Sequence, residues 1–132
     1  MNLKKNRGKN LEPTQRQLRV GEQIRHALAE IFLRGECHID GLDTANITVS
    51  EVRASPDLKH AVAYVTALIG DTDSMLDMLN ENSSILRKYT SNKLKHMKFS
   101  PRLRFVKDNS FDEAQKINDL MMNPDVARDL SK

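Results

Sequence analysis

Apolar residues in the first part of the chain recur at helical spacing. From Leu18 to Phe32 they lie three or four positions apart, as on one face of an α-helix. Thr14 followed three positions later by Gln17 has the pattern of a capping box, in which each residue's side chain bonds the other's backbone N–H. Gly35 is a residue type that commonly ends helices. These signals predict a first helix over about residues 15–34.

Two strand-like runs follow this helix. The first, from Ile47 to Ala54, is rich in β-branched residues, and the second, from His60 to Ile69, is nearly all apolar. The tripeptide Ser55-Pro56-Asp57 between them is typical of a tight turn, so the two runs are predicted to form an antiparallel hairpin. Because the second run is so apolar, we expect it to be central in the sheet and covered on at least one face.

The pattern then returns to helical spacing, with one interruption. Asp71 and Asp73 are predicted to cap a second helix, whose apolar stripe begins at Met75. Three polar residues, Asn82-Ser83-Ser84, break the stripe, and it resumes from Ile85 to Met97 as a third helix. Asn and Ser compete with helical hydrogen bonds and favour a fresh helix cap, so we expect a bend at these residues.

The last elements are a strand and a helix. Pro101 ends the helical region, and residues 103–106 alternate apolar and polar side chains as a third strand does. Ser110 with Glu113 forms a second capping box, which opens a fourth helix through Met121. The predicted order is α-β-β-α-α-β-α, an α+β domain of two layers.

Positive charge is concentrated in one block. Residues 82–107 contain eight Lys or Arg and no Asp or Glu, whereas residues 26–81 contain three bases and ten acids. We call residues 82–107 the acid-free block. Such a block is typical of a surface that faces a polyanion, although a solubilising face is the alternative. Few aromatic residues are present, so we expect recognition of RNA backbone and shape rather than base stacking.

The cations of the acid-free block are the predicted RNA-binding residues: Arg87, Lys88, Lys93, Lys95, Lys98, Arg102 and Arg104. Lys88 and Lys95 are predicted to lie near one face of the third helix. Arg16 and Arg19, on the first helix, either extend this surface or pair with Glu12 and Glu22. Both alternatives remain open from the sequence.

Several classes of site have no signature in the sequence. The lone Cys37 cannot form an internal disulfide, the four His are dispersed without metal-ligand spacing, and no nucleotide-binding or hydrolase motif occurs. No apolar run approaches the ~20 residues that cross a bilayer. We therefore expect a cytoplasmic, non-enzymatic protein with no metal, no cofactor and no membrane contact.

Composition also predicts the domain boundaries. Residues 1–13, with Lys4, Lys5, Arg7 and Lys9, have almost nothing to bury and are predicted to form a disordered basic arm. Residues 14–122 are the predicted folded, RNA-binding domain, and residues 123–132 a short tail. We expect the free protein to be a monomer.

Four stretches resemble the ribosome-binding factor A family. They are Gln17-Leu18-Arg19-Val20-Gly21-Glu22-Gln23-Ile24, Val52-Arg53-Ala54-Ser55-Pro56-Asp57-Leu58, Pro101-Arg102-Leu103-Arg104-Phe105, and Asp108-Asn109-Ser110-Phe111-Asp112-Glu113-Ala114. The likeness covers about residues 15–121 and touches every predicted element.

The resemblance implies a fold and a function. The fold is a type II KH-like domain, ordered α-β-β-α-α-β and followed by a C-terminal helix, with a helix-kink-helix in place of the phosphate-gripping Gly-x-x-Gly loop. In this family the kink reads Ala-x-Gly, whereas here the equivalent positions read Asn82-Ser83-Ser84. Members bind the small ribosomal subunit and its ribosomal RNA late in assembly and assist its processing, notably in the cold. The alternative is a protein-interaction adaptor whose basic face meets an acidic partner.

Overall fold

A computed structural model describes residues 12–98 and 100–109. The elements are α1 (Gln15–Arg34), a 3-10 turn (Thr44–Asn46), β1 (Ile47–Ala54), β2 (His60–Ala67), α2 (Thr72–Glu81), α3 (Ser83–Lys93) and β3 (Arg102–Lys107). The predicted basic arm, except for residues 12 and 13, lies outside the described residues, as do the predicted fourth helix and the tail. Over the described part, the chain is an α+β fold.

The first helix begins and ends where the sequence predicts. The Thr14 hydroxyl accepts the Gln17 N–H at 3.1 Å, and the Gln17 side-chain oxygen accepts the Thr14 N–H at 2.9 Å. Gly35 has the left-handed backbone (φ 64°) that closes a helix, and its N–H bonds the carbonyls of Ile31 and Phe32. The predicted capping box and stop are therefore confirmed.

The three strands form one sheet in the order β1-β2-β3. β1 and β2 pair antiparallel, which confirms the predicted hairpin and the central position of β2. β3 pairs parallel to β2, because α2 and α3 carry the chain back across the sheet before β3 begins. Inward residues such as Ala63 and Phe105 are buried with the apolar stripe of α1, so the core lies between the sheet and the helices.

The first helix crosses β1 at a glycine. A Cβ on Gly21 would lie 2.3 Å from the Val52 carbonyl oxygen, well inside van der Waals contact. One turn earlier, the Gln17 side-chain amide donates to the Ala54 carbonyl at 2.9 Å. The backbones of α1 and β1 therefore approach more closely than any residue with a side chain at position 21 permits.

Two predicted boundaries are wrong. β2 ends at Ala67 rather than Ile69, because Asn46 takes over the backbone hydrogen bonds of the next two residues. The third helix ends at Lys93 rather than Met97, and the chain turns with the Met97 N–H on the Leu94 carbonyl. An apolar pair three residues apart fits a tight turn as well as a helix, so the spacing could not distinguish them.

The predicted interruption of the helical run is confirmed at Asn82, but the predicted capping by Ser or Asn is not. Asn82 leaves helical geometry (φ −109°, ψ 18°), and no side chain caps the start of α3. Its amide instead donates back to the Met78 carbonyl at 2.8 Å and so closes α2. Two residues earlier, the Asn80 side chain bonds both the N–H and the carbonyl of Phe105, which ties the end of α2 to β3.

Candidate nucleic-acid interface

A pocket with basic walls opens at the hairpin-turn end of the sheet. Its lining comes from three segments of chain: Leu58, Lys59 and His60 at the start of β2, Arg87 on α3, and Lys98, Ser100 and Arg102 leading into β3. We call it the basic pocket. None of these described lining residues is acidic, so four permanent cations and an imidazole share one concave surface. That arrangement suits a phosphate group.

Backbone and side-chain bonds hold the three segments together. The Arg87 guanidinium donates two hydrogen bonds to the Ser100 carbonyl, at 2.9 and 2.6 Å, and so fixes the segment before β3 against α3. The Arg102 N–H donates to the Lys59 carbonyl at 2.8 Å, and His60 lies opposite Arg102 in the parallel pairing. The cations are therefore brought together by the fold rather than by sequence proximity.

The hairpin turn is prearranged on the pocket side. Leu58 has a left-handed backbone (φ 60°), a conformation that costs a non-glycine residue roughly 1–2 kcal/mol, and its side chain is buried. The Asp57 carboxylate accepts hydrogen bonds from the Ser55 hydroxyl and the Lys59 N–H, and these lower the pKa of Asp57. This network directs the chain at Lys59 into the basic pocket.

The structure brings some of the predicted cations together and separates others. Arg87, Lys98 and Arg102 line the basic pocket. The exposed side chains nearby in sequence are Lys88 on α3, Lys95 in the turn after α3, and Arg104 on β3. Lys95 was predicted on the helix with Lys88, and that placement is wrong because α3 ends at Lys93.

The two arginines of the first helix that were predicted to bind RNA, Arg16 and Arg19, do not line the basic pocket. Arg16 and Arg19 are both exposed near the start of α1. Arg19 lines a groove between α1 and α3 in which Glu22 and Glu30 alternate with cations. Glu22 bonds Arg25 through both carboxylate oxygens. This mixed-charge groove is less suited to a polyanion than the basic pocket.

The charge of Lys93 is paired with acidic residues of the protein itself. Its ammonium lies 2.8 Å from Glu30 and 2.9 Å from Glu36, and only 24% of the side chain is exposed. Hydrogen bonds to Glu30 and Glu36 raise the pKa of Lys93, and the bond from Lys93 lowers the pKa of Glu30. Lys93 therefore joins the end of α3 to α1.

We predict that Lys93→Met lowers the stability of the fold but leaves RNA affinity nearly unchanged. Lys88→Met should lower RNA affinity and leave the stability nearly unchanged. The folded pKa of Glu30 is lowered, so the stabilisation is present at neutral pH and lost as pH falls through that pKa. Urea unfolding of wild type and Lys93→Met should therefore differ at pH 7 and converge once the pH has fallen below the lowered pKa of Glu30. Equal losses of RNA affinity in the two variants would show that Lys93 contacts RNA as Lys88 does.

Sequence patterns missed two residues of the basic pocket, Lys59 and His60. They lie in the acid-rich half of the chain, so charge counting along the sequence passed over them. The signal that could have found them is the pairing of β2 with β3, which sets His60 beside Arg102.

Within residues 12–98 and 100–109, no group of three or more His, Cys, Asp or Glu is placed to hold a metal ion. No described helix has both the length and the apolar character to cross a membrane.

Comparison with known proteins agrees with the resemblance noted in the sequence. Residues 16–121 match the family model of ribosome-binding factor A. A curated relative, ribosome-binding factor A of Mesorhizobium japonicum, is 48% identical over 119 residues, which are 89% of this chain and 82% of that protein.

Two related structures also match the fold. The crystal structure of ribosome-binding factor A from Thermus thermophilus has a TM-score of 0.56 at 26% identity, over 69% of this chain and 94% of that one. A homology model of the same Thermus protein, fitted into the cryo-EM map of its 30S complex, has a TM-score of 0.53 at 26% identity. It covers 67% of this chain and 91% of that one.

Proposed function

Because this chain belongs to the ribosome-binding factor A family, we propose that it is an assembly factor that binds the small ribosomal subunit. In this proposal the protein contacts the ribosomal RNA during late maturation and assists its processing. The relatives' shared name and the 30S complex of the Thermus protein support a ribosomal partner. The observation that carries the RNA contact is the basic pocket, in which cations converge without an acidic wall.

The proposed interface extends from the basic pocket along exposed neighbouring cations. Lys88, Lys95 and Arg104 would add contacts to successive phosphates, since phosphate contacts supply most of the affinity of such surfaces. Lys93 is left out of the interface and assigned to the ion pairs that hold α3 on α1.

The fold supports a KH-like assignment for this interface. The described order is α-β-β-α-α-β, with β3 parallel to β2 and a break between α2 and α3 where KH domains carry their Gly-x-x-Gly loop. The break, at Asn82, leaves the first N–H groups of α3 without a side-chain cap. In the proposal, Asn82, Ser83 and Ser84 form the family's kink and turn those N–H groups towards RNA.

The proposal predicts steeply salt-dependent binding. Seven phosphate contacts, four from the cations of the basic pocket and three from Lys88, Lys95 and Arg104, give a slope of about −5 to −6 for log affinity against log salt concentration. Filter binding of the purified chain to small-subunit ribosomal RNA at several salt concentrations measures this slope. Co-sedimentation with small subunits at physiological salt tests the partner itself. A slope near zero would favour the alternative of a protein-interaction adaptor. So would binding to the subunit's proteins that persists after the RNA is digested.

A further inference from the structure

Two large apolar side chains are exposed at the end of β2. Leu68 and Ile69 directly follow the strand, and 67% and 81% of their respective surfaces are open to solvent. We call this pair the apolar tip. Single exposed apolar residues are ordinary on protein surfaces, so exposure alone does not identify a docking site. The backbone and the charges around this pair distinguish it.

The backbone of the apolar tip is held in place by one residue, Asn46. The Asn46 side-chain amide accepts the Ile69 N–H at 2.8 Å and donates to the Ile69 carbonyl at 2.6 Å. The Leu68 N–H donates to the Asn46 carbonyl at 2.9 Å. Both residues are therefore displayed with their backbone already ordered, which lowers the entropy lost when a partner binds.

The surroundings of the apolar tip are acidic. In the sequence, the segments that contain Asn46 and the apolar tip, residues 35–49 and 61–81, hold seven Asp or Glu and no Lys or Arg, and one of the seven, Glu36, is paired with Lys93. Asp43 caps the 3-10 turn that contains Asn46, and Asp71 caps α2 two residues after Ile69. The Ser74 hydroxyl is the main cause of a lowered pKa for Asp71, and Lys107 contributes more weakly. Negative charge here repels RNA and attracts cations.

The apolar tip and the basic pocket lie at opposite ends of the sheet. Lys59 and His60 begin β2 on the pocket side, and Leu68 follows its last residue. The eight rises of ~3.3 Å from His60 to Leu68 separate the two ends by about 26 Å. A ligand with a phosphate backbone held in the basic pocket is therefore not obliged to pass the acidic end.

We propose that the apolar tip docks a positively charged protein segment that carries at least one apolar side chain. The inference rests on the proposed function, because the basic pocket would hold ribosomal RNA while the apolar tip contacts a protein of the same particle. The acidic rim selects against RNA and in favour of a basic protein, and the prearranged Leu68 and Ile69 supply the apolar contact.

Site-specific crosslinking tests the proposal on the full chain. The native Cys37 is 1% exposed, and burial raises the pKa of its thiol, so a maleimide-linked photoprobe should modify an introduced surface cysteine selectively. Ile69→Cys places the probe at the apolar tip, and Lys88→Cys places it near the basic pocket. Each labelled protein is bound to purified small subunits and irradiated. The control is the wild-type protein, which has no introduced cysteine, treated with the same probe.

The expected result is a protein adduct from position 69 and an RNA adduct from position 88. Suppose that position 88 crosslinks RNA. The inference is then overturned, and the proposed function left intact, if position 69 gives an RNA adduct, an adduct to the chain itself or no adduct. If neither probe crosslinks and the chain does not co-sediment with subunits, the proposed function fails and the inference falls with it.

A double variant gives an independent readout. Leu68→Ser with Ile69→Ser should weaken binding to whole small subunits about tenfold, while affinity for protein-free ribosomal RNA stays at the wild-type level. Both residues are largely exposed, so the fold is retained. Lys88→Glu with Lys95→Glu is the matched control and should weaken both kinds of binding. Unchanged subunit affinity in the serine variant overturns the docking role.

Discussion

Replacing Gly21 by alanine should lower the free energy of unfolding by roughly 3 kcal/mol, at the upper end of overpacking effects. The added methyl would lie 2.3 Å from the Val52 carbonyl oxygen, which belongs to the backbone and cannot move aside as a flexible side chain can. Helix propensity alone predicts the opposite sign, because alanine is about 1 kcal/mol better than glycine inside a helix. Urea unfolding of the purified variant measures the change.

Gly35→Ala is the matched control for that substitution. Nothing lies within 4 Å of a Cβ at Gly35, but its backbone is left-handed, so the cost there is conformational, about 1 kcal/mol. A larger loss at Gly21 than at Gly35 would identify the close approach of α1 to β1 as the cause. A Gly21→Ala protein as stable as wild type, or more stable, would show that the helix can withdraw from the strand.

Local signals were enough to predict the first helix and the hairpin. The capping box of Thr14 and Gln17, the stop at Gly35 and the turn after Ser55 depend on residues within a few positions of one another. The end of α3 was mispredicted because Leu94 and Met97 contact the core from a turn at the spacing that a helix would also use. The parallel pairing of β3 with β2 depends on a long connection, so no short pattern encodes it.

The candidate site was only partly predictable for a related reason. Arg87, Lys98 and Arg102 were found because they share one acid-free block of sequence. The partners of Lys93, Glu30 and Glu36, are 63 and 57 residues away in the chain, so no local pattern indicates that its charge is paired. Lys59 was missed because its own segment is acidic, and only the fold places it beside Arg87, Lys98 and Arg102. Charge counted along a sequence therefore predicts a surface only where that surface is built from neighbouring residues.

Reversing two charges in the basic pocket should have the largest effect on RNA binding. Lys59→Glu with Arg102→Glu removes one cation that the sequence predicted and one that only the fold reveals. The two residues are joined through the Arg102 N–H and the Lys59 carbonyl, a backbone bond that the substitutions leave in place. Loss of two phosphate contacts at ~0.15 M salt corresponds to roughly a 30-fold weaker affinity, and repulsion by the new carboxylates adds to this.

The salt dependence distinguishes a local contact from a change in overall charge. Without two contacts, the slope of log affinity against log salt should become shallower by about 2. Arg34→Glu with Arg53→Glu changes the net charge by the same amount at two side chains that are each 66% exposed and lie outside the basic pocket. This control should keep most of the affinity and nearly the wild-type slope. Filter binding to small-subunit ribosomal RNA measures both quantities, and equal losses in the two variants would mean that RNA responds to the net charge of the domain rather than to the basic pocket.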